Sequence, residues 1–153
     1  MLNNDVLRSL RFLLQTDDTT IAAIIALGGG DTPRVDVTNY MKREDEPGYL
    51  LCEDRVMAQF LDGLIIHRRG KLENAPPRPL ETRITNNAVL KKLRVAFELK
   101  EADLMSVMAA SGFEVSKPEL SALFRNPEHK NFRPAGDQFL RNFLKGLTMR
   151  VRG

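Results

Sequence analysis

The sequence predicts an all-α protein built from two tandem copies of a unit of about four helices. Apolar residues recur at helical spacing along the chain, and no useful length of it alternates as a strand would. Residues 3–70 also align without a gap on residues 86–153, with 15 of the 68 positions identical. We therefore expect a first repeat at 1–70, a linker with three prolines at 71–85 and a second repeat at 86–153. Units this small bury little core alone, so the two lobes are expected to pack together with a pseudo-twofold relation.

The last helix of each unit carries a clear part of the repeat. Residues 54–64 and 137–147 share a frame of Asp, two apolar residues and Phe-Leu-x-Gly-Leu. Asp54 and Asp137 then lie at the positive end of each helix dipole. The apolar residues of the second copy fall on one helical stripe: Phe139, Leu140, Phe143, Leu144 and Leu147.

Polar and glycine-rich turns divide the first repeat into helices. Asn3 or Asn4 is a good N-cap for the first helix, and the polar turn at 17–20 supplies an N-cap for the second. The glycine triplet at 28–30 follows a helix and has no Lys-Ser/Thr after it, so we interpret it as a helix C-cap and turn rather than a phosphate loop. Pro33 is expected at the first position of the third helix. The inward-facing residues are Val6, Leu7, Leu10, Leu13, Leu14, Ile21, Ile24, Ile25, Val37, Tyr40 and Met41.

The second repeat follows the same order. Asn86 or Asn87 is expected to cap its first helix, and Gly112 to end its second. The Ser-x-x-Glu run at 116–119 has the form of a capping box and opens the third helix. The inward-facing residues are Val89, Leu90, Leu93, Ala96, Phe97, Leu104, Val107, Met108, Leu120, Leu123 and Phe124.

Composition indicates a soluble globular protein. The chain is 42% hydrophobic and 28% charged, and no apolar run approaches the roughly 18 residues that a membrane span needs. The first residues lack the basic-then-apolar pattern of a secretory signal, and a single cysteine, Cys52, fits a reducing compartment. We therefore expect a cytoplasmic protein without a membrane partner.

Residue patterns for catalysis or metal binding are weak. His67 and His129 do not occupy equivalent positions, and neither lies at metal-ligand spacing from Cys52. Cys52 precedes a helix, but Ala135 stands at the equivalent position, which favours a small buried residue. The acidic run at 44–46 lacks the alternating oxygen ligands of a calcium loop. We expect no catalytic, cofactor-binding or metal site, and no enzyme activity.

Several polar positions recur in the second copy, and their role has two interpretations. Packing explains them if the asparagines cap helices and each arginine pairs with the aspartate of its own lobe. Alternatively, each lobe holds a matching ligand site. The recurring residues are Asn3, Asn4, Arg11, Asp54 and Arg69, which correspond to Asn86, Asn87, Arg94, Asp137 and Arg152.

The two repeats differ in charge. Residues 3–70 contain 8 Lys/Arg and 11 Asp/Glu, whereas residues 86–153 contain 12 and 7, within a formal net charge of +3 for the chain. One interpretation is attraction between the halves. The other is a basic face in the second repeat for an anionic partner.

A nucleic-acid interface is a more specific version of the second interpretation, in which the anionic partner of the basic face is a nucleic acid. A short helix, a glycine turn and a polar-faced helix have the outline of a helix-turn-helix. In the first repeat the third helix carries Asp36 near Arg34, which does not favour phosphate, and a packed helical repeat gives the same outline through its core alone. The candidate nucleic-acid-binding residues are Lys91, Lys92, Lys117, Arg125, Lys130 and Arg133.

Several runs together carry a resemblance to a known family. They are residues 3–11, 42–47, 60–65 and 69–71 in the first copy, and residues 86–94 and 137–147 in the second. With these runs the sequence resembles the YehS-like bacterial proteins, a family of uncharacterised function with two tandem copies of one domain. The resemblance covers essentially the whole chain, although Tyr40 stands where Trp is expected and Ala135 where Cys is common. It implies a cytoplasmic bacterial protein and brings no established activity.

Two classes of function therefore stay open. The first is a non-enzymatic binding module that contacts nucleic acid through the basic second repeat. The second is a protein-interaction or assembly module, in which grooves between the lobes hold a protein partner or a second copy of the chain. An enzyme would need a pocket with converging polar groups, and the sequence indicates no reaction type.

Overall fold

The fold is helical throughout the part of the chain that is described. The computed structural model describes residues 1–71 and 83–153, and in these ranges it contains eight α-helices and no strand. The chain divides into two compact units, residues 1–84 and 85–153. The first unit contains α1 (Asn3–Leu14), α2 (Asp18–Leu27), α3 (Arg34–Tyr40) and α4 (Asp54–Arg69). The second contains α5 (Asn86–Ala96), α6 (Glu101–Ala110), α7 (Lys117–Leu123) and α8 (Asp137–Arg152). The predicted all-α class and the duplicated four-helix unit are confirmed.

Most of the predicted linker at 71–85 lies outside the described residues, which include only 71 and 83–85 of it. The repeat boundaries and the packing of the lobes on each other stay predictions. Among the helices of the described residues, none combines the length and the apolar character that crossing a membrane requires.

Each unit is organised around its closing helix. In the first unit α4 packs mainly against α2, and in the second α8 packs mainly against α6. Phe60 and Phe143, at equivalent positions of the two closing helices, are fully buried. The predicted inner faces are buried as expected, apart from five residues that are only partly buried: Leu14, Met41, Phe97, Phe124 and Phe139.

Glycine lets each closing helix touch the backbone of its partner helix. A methyl group on Gly63 would lie 1.8 Å from the Ile24 carbonyl oxygen, and one on Gly146 would lie 2.0 Å from the Val107 carbonyl oxygen. These contacts are equivalent in the two units. No side chain fits in such a space, so the glycine of the Phe-Leu-x-Gly-Leu frame marks the point of closest helix approach.

An asparagine on α1 connects two distant segments of the first unit. The Asn4 amide nitrogen donates to the carbonyl oxygens of Tyr40 (3.0 Å) and Leu50 (2.8 Å). Its amide oxygen accepts the N–H of Cys52 (2.9 Å). The side chain is completely buried, so these bonds satisfy backbone groups that water does not reach.

The second unit repeats this arrangement atom for atom. The Asn87 amide nitrogen donates to the carbonyl oxygens of Leu123 (2.9 Å) and Arg133 (2.8 Å). Its amide oxygen accepts the N–H of Ala135 (2.8 Å). The end of α7 and the segment that leads into α8 are therefore both bonded to α5.

The preceding asparagine completes what we call the asparagine clamp, formed by Asn3 and Asn4 in the first unit and by Asn86 and Asn87 in the second. The Asn3 amide nitrogen donates to the Cys52 carbonyl oxygen (3.1 Å) and to the Asp54 carboxylate (2.7 Å). The Asn86 amide nitrogen donates in the same way to the carbonyl oxygen of Ala135 (3.0 Å) and the carboxylate of Asp137 (2.9 Å). The recurrence of these polar residues thus has a structural cause.

Other caps agree with the sequence analysis. Asp17 is the N-cap of α2 and accepts the Thr20 N–H (2.9 Å). Ser116 caps α7, and Glu119 completes the predicted capping box. Gly112, with φ +82°, follows the end of α6 in the left-handed conformation that favours glycine.

The asparagines themselves do not cap helices, contrary to the expectation. α1 does begin at Asn3, but its N-cap is Leu2. The N-cap of α5 is Thr85, whose hydroxyl accepts the N–H of Ala88 (3.1 Å). Pro33 is likewise the N-cap of α3 rather than its first helical residue. The asparagine amides are hydrogen-bonded to distant segments, and in each unit the residue before the two asparagines is the N-cap.

The predicted arginine–aspartate pairs within the lobes are also wrong. The guanidinium of Arg11 donates to Asp18 (2.6 Å), at the start of α2. Arg94 donates through Nε to the Leu99 carbonyl oxygen (3.1 Å), and its guanidinium lies 5.0 Å from the centre of the Phe124 ring. Each arginine therefore stabilises its own unit, but its partner is not the aspartate at the start of the closing helix.

We expect Asn4→Ala to lower the free energy of unfolding by about 3–5 kcal/mol, because it leaves several buried backbone groups without partners. Urea unfolding followed by circular dichroism measures the loss. Asn126→Ala is the control, since Asn126 is exposed and bonds only locally to the Glu128 N–H (2.9 Å). A loss below about 1 kcal/mol for Asn4→Ala would show that the clamp does not hold the unit together.

We expect Gly63→Ala to destabilise the protein by at least about 2–3 kcal/mol, although alanine favours helix. The added methyl group would meet the backbone of α2, which cannot move away as a flexible side chain could. Gly136→Ala is the control, because a methyl group there meets nothing within 4 Å. Equal melting temperatures for the two variants would contradict the close helix contact.

Candidate nucleic-acid interface

The six candidate cations lie on three parts of the second unit. Lys91 and Lys92 are on α5, and Lys117 is the first residue of α7. The other three follow α7 in the segment that leads to α8: Arg125, Lys130 and Arg133. We call residues 124–136 the α7–α8 segment.

The asparagine clamp fixes the position of Arg133. Its carbonyl oxygen accepts the Asn87 amide (2.8 Å), and its N–H donates to the Ala122 carbonyl oxygen (3.0 Å). The Arg133 side chain is exposed. The backbone of this residue is therefore held between α5 and α7 while its charge faces solvent.

Lys91 lies one helical turn after Asn87, on the same face of α5. In the first unit the equivalent residue, Arg8, donates to the carbonyl oxygen of Lys42 (2.9 Å), which is the counterpart of Arg125. The shared scaffold thus places the positions of Lys91 and Arg125 next to each other beside the clamp.

A groove of about 390 Å³ brings Lys130 and Arg133 together. It is lined by Pro118, Glu119, Ala122, Lys130, Asn131, Phe132 and Arg133. Lys117 directly precedes this lining and is exposed. Lys92 is partly buried on α5 and does not line the groove. The structure therefore groups Lys130 with Arg133, leaves Lys117 at the edge, and separates Lys92 from them.

The first unit has the same scaffold but lacks two of the cations of the second unit. Pro47 and Leu50 stand at the positions of Lys130 and Arg133. Arg8 forms an ion pair with Asp5, whereas Ala88 stands at the position of Asp5 in the second unit. The clamp thus does not require cations at the positions of Lys130 and Arg133.

Some cations of the second unit are engaged in internal contacts. Arg150 donates to the Asp103 carboxylate (2.7 Å). The Lys100 backbone N–H (2.8 Å) and this guanidinium hold the pKa of Asp103 below its ordinary value. Arg150 therefore contributes little net charge to the surface.

Sequence analysis missed other residues of this surface. Asn131 and Phe132 line the groove, but their neighbours in the sequence give them no helical pattern. Arg141 and Lys145 are exposed on α8, four residues apart and outside its apolar stripe. That spacing could have identified them as a second basic feature.

The helix-turn-helix outline departs from its usual spacing. The connection between α6 and α7 runs from 111 to 116, which is longer than the turn of about three to four residues typical of the motif. α7 itself has 7 residues. A basic surface, rather than recognition by α7 in a DNA groove, is the feature that the geometry offers.

The surroundings of the cysteine and the two histidines do not favour catalysis or metal binding. Burial raises the pKa of the Cys52 thiol to about 12, and the carboxylates of Asp54 and Glu53 add to the effect. His67 is exposed, and His129 accepts the Asn131 N–H (3.0 Å) within a turn. Among residues 1–71 and 83–153, no three His, Cys, Asp or Glu side chains are grouped to hold a metal ion.

We expect native Cys52 to react with a thiol reagent such as DTNB at about pH 8 at least about 100-fold more slowly than in the urea-unfolded chain. Burial blocks access, and the raised pKa leaves almost no thiolate. The absorbance of the released thiol reports the rate. Equal rates in the folded and unfolded protein would contradict the buried position.

Comparisons with known proteins agree with the duplication. A family described as a protein of unknown function, DUF1456, matches residues 3–70 and again residues 86–153. The uncharacterized protein YehS of Escherichia coli (strain K12) is 47% identical over 150 residues, which cover 98% of this chain and 96% of YehS. No solved structure matches the chain. The resemblance to YehS-like proteins is confirmed, and the chain belongs to the DUF1456 family, whose model it matches twice.

Proposed function

We propose that the protein is a non-enzymatic module that binds nucleic acid through the basic surface of its second repeat. The observation that carries this proposal is the contrast between the repeats. Both units have the same clamp, but only the second has cations at the positions of Lys130 and Arg133, where the first has Pro47 and Leu50. Because the fold does not need these charges, a partner is the simplest reason for them.

Phosphate is the ligand that this surface fits best. The groove residues Lys130 and Arg133 supply one ammonium and one guanidinium group, and Lys117 adds a charge at the edge. Several such contacts along a polyanion add up, since each releases counterions. We therefore expect binding that depends on salt more than on sequence.

Fluorescence anisotropy tests this with labelled oligonucleotides at about 50 mM and about 200 mM salt. The test variant carries Lys117→Glu, Lys130→Glu and Arg133→Glu. We expect wild type to bind in the micromolar range at low salt, and the variant to bind at least about tenfold more weakly with a shallower salt dependence.

The first repeat offers a control with the same change in net charge: Arg34→Glu, Arg43→Glu and Arg55→Glu, three exposed arginines. This variant should bind as wild type does, apart from a small long-range effect. Wild type that does not bind at low salt would refute the proposal. An equal loss in both variants would show that net charge, and not this surface, governs binding.

A protein-docking role is a second candidate, supported by an apolar groove of about 510 Å³ in the second unit. It is lined by Met105, Ala109, Phe113, Glu114, Val115, Ser116 and Glu119. Exposed apolar area of this kind occurs at protein interfaces. Analytical ultracentrifugation over a range of concentrations would show whether a second copy occupies it, and Met105→Lys would then abolish the dimer.

A further inference from the structure

The groove between α7 and the α7–α8 segment combines the chemical groups that a single nucleotide needs. Four consecutive residues contribute to its lining: Lys130, Asn131, Phe132 and Arg133. The two cations suit a phosphate, and the aromatic ring offers a surface on which a base can stack. The Asn131 amide can both donate to and accept from the edge of a base.

Backbone bonds hold three of these residues, Asn131, Phe132 and Arg133, in place before any ligand arrives. The N–H of Asn131 donates to the His129 ring (3.0 Å), and the N–H of Phe132 donates to the His129 carbonyl oxygen (2.9 Å). The next N–H, of Arg133, donates to Ala122 (3.0 Å), and the Arg133 carbonyl oxygen accepts the clamp amide of Asn87 (2.8 Å). Little conformational entropy therefore remains to be lost when a ligand orders this segment.

The size of the groove suits a small unit and not a duplex. Its volume of about 390 Å³ lies near the lower end of the range for small-molecule sites. In a duplex, the bases are stacked on each other and paired, so their faces cannot reach a ring on the wall of a shallow groove. An unpaired base has a free face, as in single strands and loops.

The first repeat shows which part of this arrangement belongs to the fold. Tyr49 stands at the position of Phe132, so an aromatic ring is common to both units. Its neighbours are Gly48 and Leu50, where the second unit has Asn131 and Arg133. An aromatic residue thus stands at this position in both units, and in the second unit the residues on either side of it in the sequence are an amide and a cation.

We propose that this groove binds an unpaired nucleobase together with its phosphate, so that the protein prefers single-stranded nucleic acid to duplex. This inference rests on the proposed nucleic-acid-binding function and adds the class of nucleic acid to it. Phe132 provides the stacking surface, and Lys130 and Arg133 hold the backbone phosphate.

A tryptophan reporter tests the stacking directly, because the chain contains no tryptophan. In Phe132→Trp, we expect oligothymidylate of about eight nucleotides to quench the fluorescence markedly, while a duplex of similar charge leaves it nearly unchanged. Oligouridylate is the second arm and distinguishes RNA from DNA as the source of the single strand. The matched control, Tyr49→Trp, places the reporter at the equivalent position of the first repeat and should not be quenched. Quenching of both reporters, or of neither, would overturn the inference.

Affinity measurements separate stacking from charge. We expect Phe132→Leu to weaken oligothymidylate binding on the order of tenfold and to leave duplex binding unchanged. Phe132→Tyr should keep single-strand affinity, since tyrosine stacks as well and the first repeat has tyrosine at this position.

Failure of this inference can be told apart from failure of the proposed function. If single strands and duplex bind equally, and Phe132→Leu changes neither, the groove does not select unpaired bases. In that case the charge-reversal variant still decides whether the basic surface binds nucleic acid at all. If wild type binds no nucleic acid at low salt, both proposals fall together.

Discussion

The hydrogen bonds of two adjacent asparagine side chains determine how each unit is assembled. Asn4 in the first unit and Asn87 in the second each satisfy three backbone groups from two segments that lie far along the chain. The extended segment before the closing helix has no strand or helix partner for these groups, so the amide replaces the regular secondary structure that would otherwise pair them. With this segment fixed, the closing helix can lie against its partner helix at the glycine contact of Gly63 or Gly146.

Apart from the carboxylates of Asp54 and Asp137, the clamp amides bind main-chain atoms, which explains how the two units can differ so much at their surfaces. The main-chain carbonyl oxygens of Arg133 and Leu50 accept equivalent hydrogen bonds from the clamp, although one residue has a cationic side chain and the other an apolar one. A scaffold held through backbone atoms places little constraint on the outward side chains of the same residues. The segment before α8 can therefore carry Lys130 and Arg133 while its counterpart before α4 carries Pro47 and Leu50.

The sequence-based errors have a common physical cause. Asparagine at the start of a helix is a good N-cap in general, and an arginine and an aspartate that recur together suggest an ion pair. Both inferences treat a side chain as acting on its nearest neighbours in sequence or on its most obvious opposite charge. In the folded unit, the Asn3 amide donates a hydrogen bond to the Asp54 carboxylate, and the Arg11 guanidinium donates to Asp18 at the start of the next helix. Which partner a polar side chain meets depends on how the helices pack, and periodicity does not encode that packing.

The sequence by itself determined the helical class, the duplication and the inner faces, since helical spacing and repeated residues are local properties that survive any packing arrangement. It also identified the candidate cations Lys130 and Arg133, because charge is visible in composition. Only the tertiary structure decided that these two line one groove together with Phe132, and that Lys92 does not line it. The reason is that the groove is formed by α7 and by a segment without regular secondary structure, whose path is set by the amide of Asn87 on a helix far from it in sequence.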